Sequence, residues 1–260
     1  MNGNRHIALE SRLSHCENVI TLGVKPNLED YSSEAMALIR NSKKIYYPSS
    51  FHVELFDAMG KETFPSPHNY HFAQDKIKQT AIFKLLDIPH PRTRVFYGKH
   101  QKTSILDHFQ FPFIAKIPRG SSMGRGVFLI QDHTDLHAYL SLDTPAYIQE
   151  YLQLDRDMRV VVIGREIAHA YWRITAMGEF RSNIAAGASI SLEPVLGQAL
   201  ALALHTAKTC GWNDVGIDIC SRNGKLYVLE ANMKYGKEGF RTAGIDYADM
   251  MANKIAAGAI

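Results

Sequence analysis

Asp218, Glu230 and Asn232 carry oxygen-bearing side chains inside two strand-like runs, Val215-Gly-Ile-Asp218-Ile-Cys and Leu226-Tyr-Val-Leu-Glu230-Ala-Asn232. Glu230 and Asn232 are two apart, so on a strand they share one face. If the connection around Asn223-Gly224 holds an odd number of residues, even-numbered positions stand opposite one another and all three side chains converge. Two carboxylates and an amide are hard donors, right for magnesium and wrong for zinc or copper. Burying them among Ile, Leu and Val is costly unless a metal or hydrogen bonds compensate. The competing reading is a solvated sheet face. On the metal reading, Asp218→Ala or Glu230→Ala is expected to abolish turnover and leave the fold intact.

Two further stretches could handle an anion. In Lys116-Ile-Pro-Arg-Gly-Ser121-Ser122-Met-Gly124-Arg-Gly-Val a lysine ends one strand, a glycine-serine loop follows and a second strand resumes. Glycines let backbone N–H groups close around phosphate oxygens, and a strand-borne lysine adds a fixed charge. The lysine precedes the glycines, so this is not the G-x-x-x-x-G-K-[ST] loop, and a plain hairpin turn competes. Glu179-Phe-Arg181-Ser182-Asn183 follows the strand that bears Arg173 and offers a guanidinium fork beside an amide, or else a polar loop. His133 and His137 stand four apart beside Asp132 and Asp135, and a solvated helix start explains them better than a metal.

These groups must be held by a chain of 260 residues, 46% hydrophobic and 21% charged, which excludes a disordered protein. The length suits one large mixed domain or a small unit leaning on a larger one. The longest apolar run, Ala199 to Leu204, is far below the ~20 residues of a membrane span, and residues 1–6 lack a signal-peptide core. Three cysteines without C-x-x-C spacing exclude a zinc ribbon and suit a reducing cytoplasm. The net charge of +3 is not gathered into a stripe, which points to a small anionic ligand and away from nucleic acid.

Periodicity predicts a small α/β unit over residues 17–72: a strand over Asn18–Val24, a helix over Glu34–Arg40, a strand over Lys43–Tyr47 and a connector from Phe64 to Tyr70. A helix is expected from Ala73 to Leu86, with Ile77, Ala81 and Leu85 as its apolar row. Strands follow over Phe111–Ile117, Gly126–Ile130, Ala146–Tyr151, Met158–Ile163 and Glu166–Arg173. A helix from Pro194 to Cys210, a hairpin of Val215–Cys220 with Leu226–Glu230, and a helix over Asp246–Ala257 complete an α+β pattern.

In order and spacing these motifs resemble the RimK-like branch of the ATP-grasp superfamily, over about residues 73–257. The resemblance implies a fold of two α+β subdomains sandwiching ATP, behind a short N-terminal α/β pre-grasp unit. It divides the chain into residues 1–72 and 73–260, the latter into a flap-bearing subdomain (73–151) and a magnesium-binding one (152–260). Gln74-Asp75-Lys76-Ile77 looks like the family's D-K-L helix, whose lysine reaches the phosphates, and Lys116 like its second ATP lysine. Ser121, Ser122 and Gly124 would lie in the flexible flap, Glu150, Tyr151 and Leu152 in the hinge that holds adenine, and Asp157 on the ribose. Arg181, Ser182 and Asn183 match a stretch that binds nucleotide and acyl phosphate. Asp218, Glu230 and Asn232 match the magnesium ligands, with two ions expected and manganese able to substitute.

The implied activity is ATP-dependent carboxylate–amine ligation through an acyl phosphate, with Arg181 and Lys116 as the catalytic cations. Its substrates would be small-molecule or peptide carboxylates and amines; a homo-oligomer is compatible, and no membrane or nucleic acid is involved. A kinase on the same fold and a nucleotide-binding regulatory module without turnover are the alternatives. Residues 64–97 also resemble the ATP-grasp members encoded beside an acetyltransferase and a kinase-like protein, the GAK set. The segment Met233–Arg241 departs from the small residues and proline that often follow the family's E-x-N, which leaves the acceptor open. Arg173, Lys234 and Arg241 are the candidates to line an acceptor pocket for an anionic substrate.

Overall fold

The computed structural model describes residues 5–120, 126–142, 144–180, 184 and 187–260. Strands β1 (His6–Ala8), β2 (Val19–Thr21), β3 (Lys44–Tyr46) and β4 (Glu62–Phe64) make an all-parallel sheet in the order β2-β1-β3-β4, flanked by helices α1 (Ser33–Asn41), α2 (Val53–Ala58) and α3 (Pro67–Phe72). Helix α4 (Lys76–Leu85) leads into a second sheet. Its strands are β5 (Thr93–Phe96), β6 (Phe113–Lys116), β7 (Val127–Ile130) and β8 (Ala146–Glu150), paired antiparallel in the order β5-β8-β6-β7. Helices α5 (Gly98–Lys102), α6 (Ile105–His108) and α7 (His133–Leu140) accompany it. The third sheet, β11-β10-β9-β12-β13, is antiparallel and comprises β9 (Arg156–Ile163), β10 (Glu166–Ile174), β11 (Ser189–Ser191), β12 (Asp214–Arg222) and β13 (Lys225–Asn232). Helix α8 (Gly197–Thr209) lies between β11 and β12, and α9 (Glu238–Thr242) and α10 (Tyr247–Ala256) close the chain. Among the described residues no helix is long and apolar enough to cross a membrane.

The α+β class is as expected, and several local expectations are corrected. The N-terminal sheet has β1, at His6–Ala8, as an inner strand, ahead of the α/β unit expected over residues 17–72. Residues 64–70 are not a connector: Phe64 ends β4, and Pro67 occupies the first turn of α3, where its missing N–H is harmless. Helix α8 begins at Gly197, so Pro194 precedes it, while Gly211 takes the positive φ that ends it. The larger correction concerns α4. Its buried face is Lys76, Gln79, Thr80 and Phe83, and Leu85 is 78% exposed.

Polar groups are buried there because α4 joins two sheets. The Gln79 amide accepts from the Ala231 N–H at 3.1 Å and donates to the Ala231 carbonyl at 2.8 Å, covering the open edge of β13. Thr80 hydrogen-bonds the Tyr147 hydroxyl on β8 at 2.6 Å. The large core packs Ala199, Ala203 and Ala207 of α8 against Val160, Val162, Ile217 and Ile219, with Trp212 at its end. Alanines on the inner face of α8 let its backbone approach the sheet closely.

Candidate active site: a cleft between two sheets

The hairpin β12–β13 does bring Asp218, Glu230 and Asn232 onto one face, by a different route from the one the spacing suggested. The turn is two residues long, Asn223 and Gly224, both with positive φ (51° and 75°), as a type I′ hairpin requires. An even turn alone would set Asp218 opposite Leu229. Instead Ile219 pairs with Val228 and Asp218 with Glu230, so Leu229 is an extra residue in a β-bulge. The bulge resets the register, and Gly216 then faces Asn232.

Asp218 is buried and thoroughly partnered. Arg159, opposite it on β9, grips both of its oxygens through Nε and Nη2; Arg173 Nη2 lies 3.0 Å from Oδ2, and Asn232 Nδ2 donates to Oδ2 at 3.1 Å. Arg173 also holds Asp157 with two 2.7 Å bonds. Burial alone would raise the Asp218 pKa, but the two guanidiniums hold it below its ordinary value. Asp218→Ala therefore removes more than a metal charge, because it leaves two buried arginines short of a counter-ion.

Two lysines face these carboxylates. Lys76 Nζ, at the first residue of α4, lies 3.3 Å from Glu230 Oε1. Lys116, at the end of β6, is buried with its Nζ 5.9 Å from the centre of the Tyr147 ring. Burial lowers the Lys116 pKa to about 8 against the pull of Glu230, with Lys76 lowering it further. Asp75 caps α4 through the Lys78 N–H (3.0 Å) and accepts from Arg119 Nε at 2.8 Å, tying the helix to the root of the loop that follows β6. Burial would raise the Asp75 pKa, but the Arg119 bond and the capping N–H keep it low.

One cleft is lined by Lys116, Glu150, Tyr151, Leu152, Asp157, Arg173, Asp218 and Glu230. Lys76 adjoins it through Glu230, and Asn232 through Asp218. Ser121, Ser122, Gly124, Arg181, Ser182 and Asn183 lie outside the described residues. Arg173, Lys234 and Arg241 do not share a pocket. Arg173 is buried in this cleft, and Lys234 lies past the end of β13, paired with Glu10 at 3.8 Å. Arg241 is 72% exposed and bound to Glu238 at 2.6 Å on α9.

Arg159 was not among the sequence candidates. The signal was present, since it shares a strand face with Asp157 two residues earlier.

A family model described as the RimK-like ATP-grasp domain matches residues 73–255. The chain belongs to that family, one of C–N bond-forming, ATP-dependent ligases. "Probable alpha-L-glutamate ligase 2" of Pseudoalteromonas atlantica is 30% identical over 207 residues, covering 76% of this chain and 68% of that protein. "Ribosomal protein bS6--L-glutamate ligase" of Escherichia coli O81 is 28% identical over 187 residues, covering 69% and 62%. The chain thus spans about two thirds of the length of these curated relatives. The fold is shared with a RimK domain protein of Sphaerobacter thermophilus (TM-score 0.68, 15% identity, 96% and 98% covered). It is shared too with D-alanine–D-alanine ligase of Bacillus anthracis, in a structure complexed with ATP (TM-score 0.71, 13% identity, 96% and 95% covered).

ATP-grasp ligases use ATP and a divalent metal. In this chain, a RimK-like ATP-grasp protein, no group of three or more His, Cys, Asp or Glu side chains among the described residues forms a metal cage. The donor set nonetheless suits magnesium, which takes one or two carboxylates and completes its shell with water and phosphate oxygens.

Proposed function

We propose that this protein is an ATP- and magnesium-dependent carboxylate–amine ligase working through an acyl phosphate. The observation that carries the reading is the convergence of Lys76 and Lys116 on the face that bears Asp218 and Glu230, in a chain of this family. Asp218, Glu230 and Asn232 would hold magnesium, which supplies Lewis-acid stabilisation of charge on the phosphate oxygens.

The chain's own groups do the rest by position and electrostatics. Lys116 and Lys76 place fixed ammonium charges where the γ-phosphate arrives. Glu150, Tyr151 and Leu152 at the end of β8 take the base, and Asp157, fixed by Arg173, marks the ribose side. A substrate carboxylate oxygen attacks the γ-phosphorus and ADP leaves. The amine then attacks the acyl carbon, and Arg181 would steady the oxyanion before phosphate departs. Ser121, Ser122, Gly124, Ser182 and Asn183 would close over the phosphates. No side chain forms a covalent intermediate, so the three buried cysteines stay outside the chemistry.

Purified protein with ATP, magnesium and a panel of amino acids, peptides and candidate proteins should release ADP and yield an amide. In hydroxylamine the acyl phosphate should be trapped as a hydroxamate. A phosphoester product, with no hydroxamate, would replace this reading with a kinase.

A further inference from the structure

A second pocket lies at the far end of β9, where the turn Gly164-Arg165 meets the last turns of α8. Its walls include Arg165, Leu204, Ala207, Lys208 and Trp212. Its volume of about 840 Å³ falls in the range of small-molecule sites. Leu204, Ala207 and Lys208 stand at i, i+3 and i+4, so one face of α8 forms a wall. Gly164 is about 23 Å of strand beyond Asp157, and the pocket shares no wall residue with the cleft.

The rim of this pocket is cationic and uncompensated. Arg165 and Lys208 are exposed, and neither has an ion-pair partner among the described residues. Among those residues no Asp or Glu lines the pocket, and Glu166, next to Arg165, is taken by Lys254. Lys208 in the last turn of α8 also complements the helix dipole. Arg165 sits in a strand turn, where that reason is absent. Below the rim the walls are apolar, with Leu204, Ala207 and Trp212 continuous with the large core.

Trp212 adds an unanswered donor. It is 2% exposed, and its Nε1 has no hydrogen-bond partner among the described residues. Trp172 Nε1, by contrast, donates to the Pro194 carbonyl at 3.3 Å. An indole N–H only donates, and native proteins rarely leave a buried donor unpaired. An oxygen carried by a ligand against this wall would supply the acceptor. The residues on either side of Trp212 are clasped by the N-terminal unit: Ser66 Oγ donates to the Gly211 carbonyl at 2.7 Å, and the Ser66 N–H to Asn213 Oδ1 at 2.8 Å. The wall is therefore held in place from outside the pocket.

We infer that this pocket binds a soluble organic anion, a carboxylate on a hydrocarbon chain or ring. Its oxygens answer Arg165, Lys208 and the Trp212 N–H, and its apolar body lies against Leu204 and Ala207. An amide of the same body loses the attraction of both cations, and an amine is repelled by them. A carboxylate without an apolar body leaves the walls uncovered. No cleft residue takes part, so the site stands independently of the ligase reading.

The chain has two tryptophans, so the two indole N–H signals of the nitrogen-15-labelled full chain locate a ligand, with Trp172→Phe assigning them. The probes are hexanoate, octanoate, decanoate, benzoate and 2-naphthoate, each beside its amide and its amine, with acetate as the carboxylate that lacks an apolar body. At least one of the larger acids should move the Trp212 signal with a Kd below about 1 mM and leave that of Trp172 in place. Its amide should bind about tenfold more weakly, and its amine and acetate more weakly still. Arg165→Gln and Lys208→Gln should each weaken the acid about three- to fivefold, as expected for exposed charges. The double variant should bind acid and amide alike, and all three variants should bind a fluorescent ATP analogue as wild type does. The inference is overturned by any of four results: no acid moving the Trp212 signal below about 1 mM, equal binding of acid and amide to wild type, both indole signals moving together, or a double variant that still prefers the acid.

Discussion

Asp214 and Asp218 stand four residues apart on β12, both buried, and their charges are met in opposite ways. Around Asp218 two guanidiniums face two carboxylates, since Arg173 also grips Asp157. Asp214 instead accepts hydrogen bonds from two neutral groups, the Tyr47 and Tyr235 hydroxyls at 2.7 and 2.6 Å, with Arg12 farther off. The outcome differs in sign. Arg159 and Arg173 overcome burial and hold the Asp218 pKa low, whereas burial outweighs Arg12 and the tyrosines and raises that of Asp214. The cleft keeps its carboxylate ionised, the form in which a carboxylate can ligate a divalent metal. The seam to the N-terminal unit is a hydrogen-bonded joint.

The contrast is most easily broken at Arg173. Arg173→Ala strands Asp157 and weakens the cover of Asp218, and should cost about 3–5 kcal/mol in urea unfolding. A loss under ~1 kcal/mol would mean that the cluster is solvated and only resembles a buried quartet. At the seam, Asp214→Asn keeps an acceptor for the tyrosines and should cost only about 1–3 kcal/mol.

Stability against pH sharpens the same comparison. The folded pKa of Asp218 is below its ordinary 3.8, so its contribution is present above that value and is lost as pH falls below it. The folded pKa of Asp214 is above 3.8, so the folded state holds the extra proton and stability declines as pH rises from 3.8 through the raised pKa. The difference between wild type and Asp214→Asn should therefore shrink as pH climbs from 3.8. That between wild type and Asp218→Asn should grow with pH up to 3.8. Parallel profiles would erase the distinction.

Gly216 lies between the two aspartates, and a Cβ there would stand 2.9 Å from Tyr235 Cβ and 3.0 Å from Arg159 Cδ. Gly216→Ala should cost roughly 1–3 kcal/mol by overpacking and should disturb both clusters together. A calorimetric scan showing full stability would mean that one neighbour yields freely.

The smallest expected effect is at Lys116. Its pKa of about 8 means that its charge is lost as pH rises through that value, so nucleotide affinity should fall above pH 8, approaching about tenfold per unit, with proton uptake on binding near pH 8. Lys116→Gln should bind more weakly and flatten the profile in a calorimetric titration.

The site was far more legible in the sequence than the joints that hold it. Strand faces follow a period of two, so Asp218, Glu230 and Asn232 could be grouped, although parity alone supplied the wrong reason. A bulge is a tertiary accommodation without a residue signature here. The face of α4 was misread because Ile77, Ala81 and Leu85 look like a core row. The helix turns Gln79 and Thr80 inward to satisfy β13 and Tyr147, a demand set by partners 152 and 67 residues away. Strands of three residues, such as β1 and β4, are too short for any period to show. The bond from Arg12 to the Tyr247 hydroxyl was invisible for the same reason of distance, since the two are 235 residues apart.

The bulge at Leu229 has a consequence for what the cleft can offer. On a regular strand neighbouring residues look in opposite directions, so a wall built from one strand alternates with whatever lies behind it. Here Leu229 and Glu230 are consecutive and both line the cleft. One step of chain therefore presents grease and charge side by side: an apolar surface for a flat ring and a carboxylate for a cation. A straight β13 would have to choose between them.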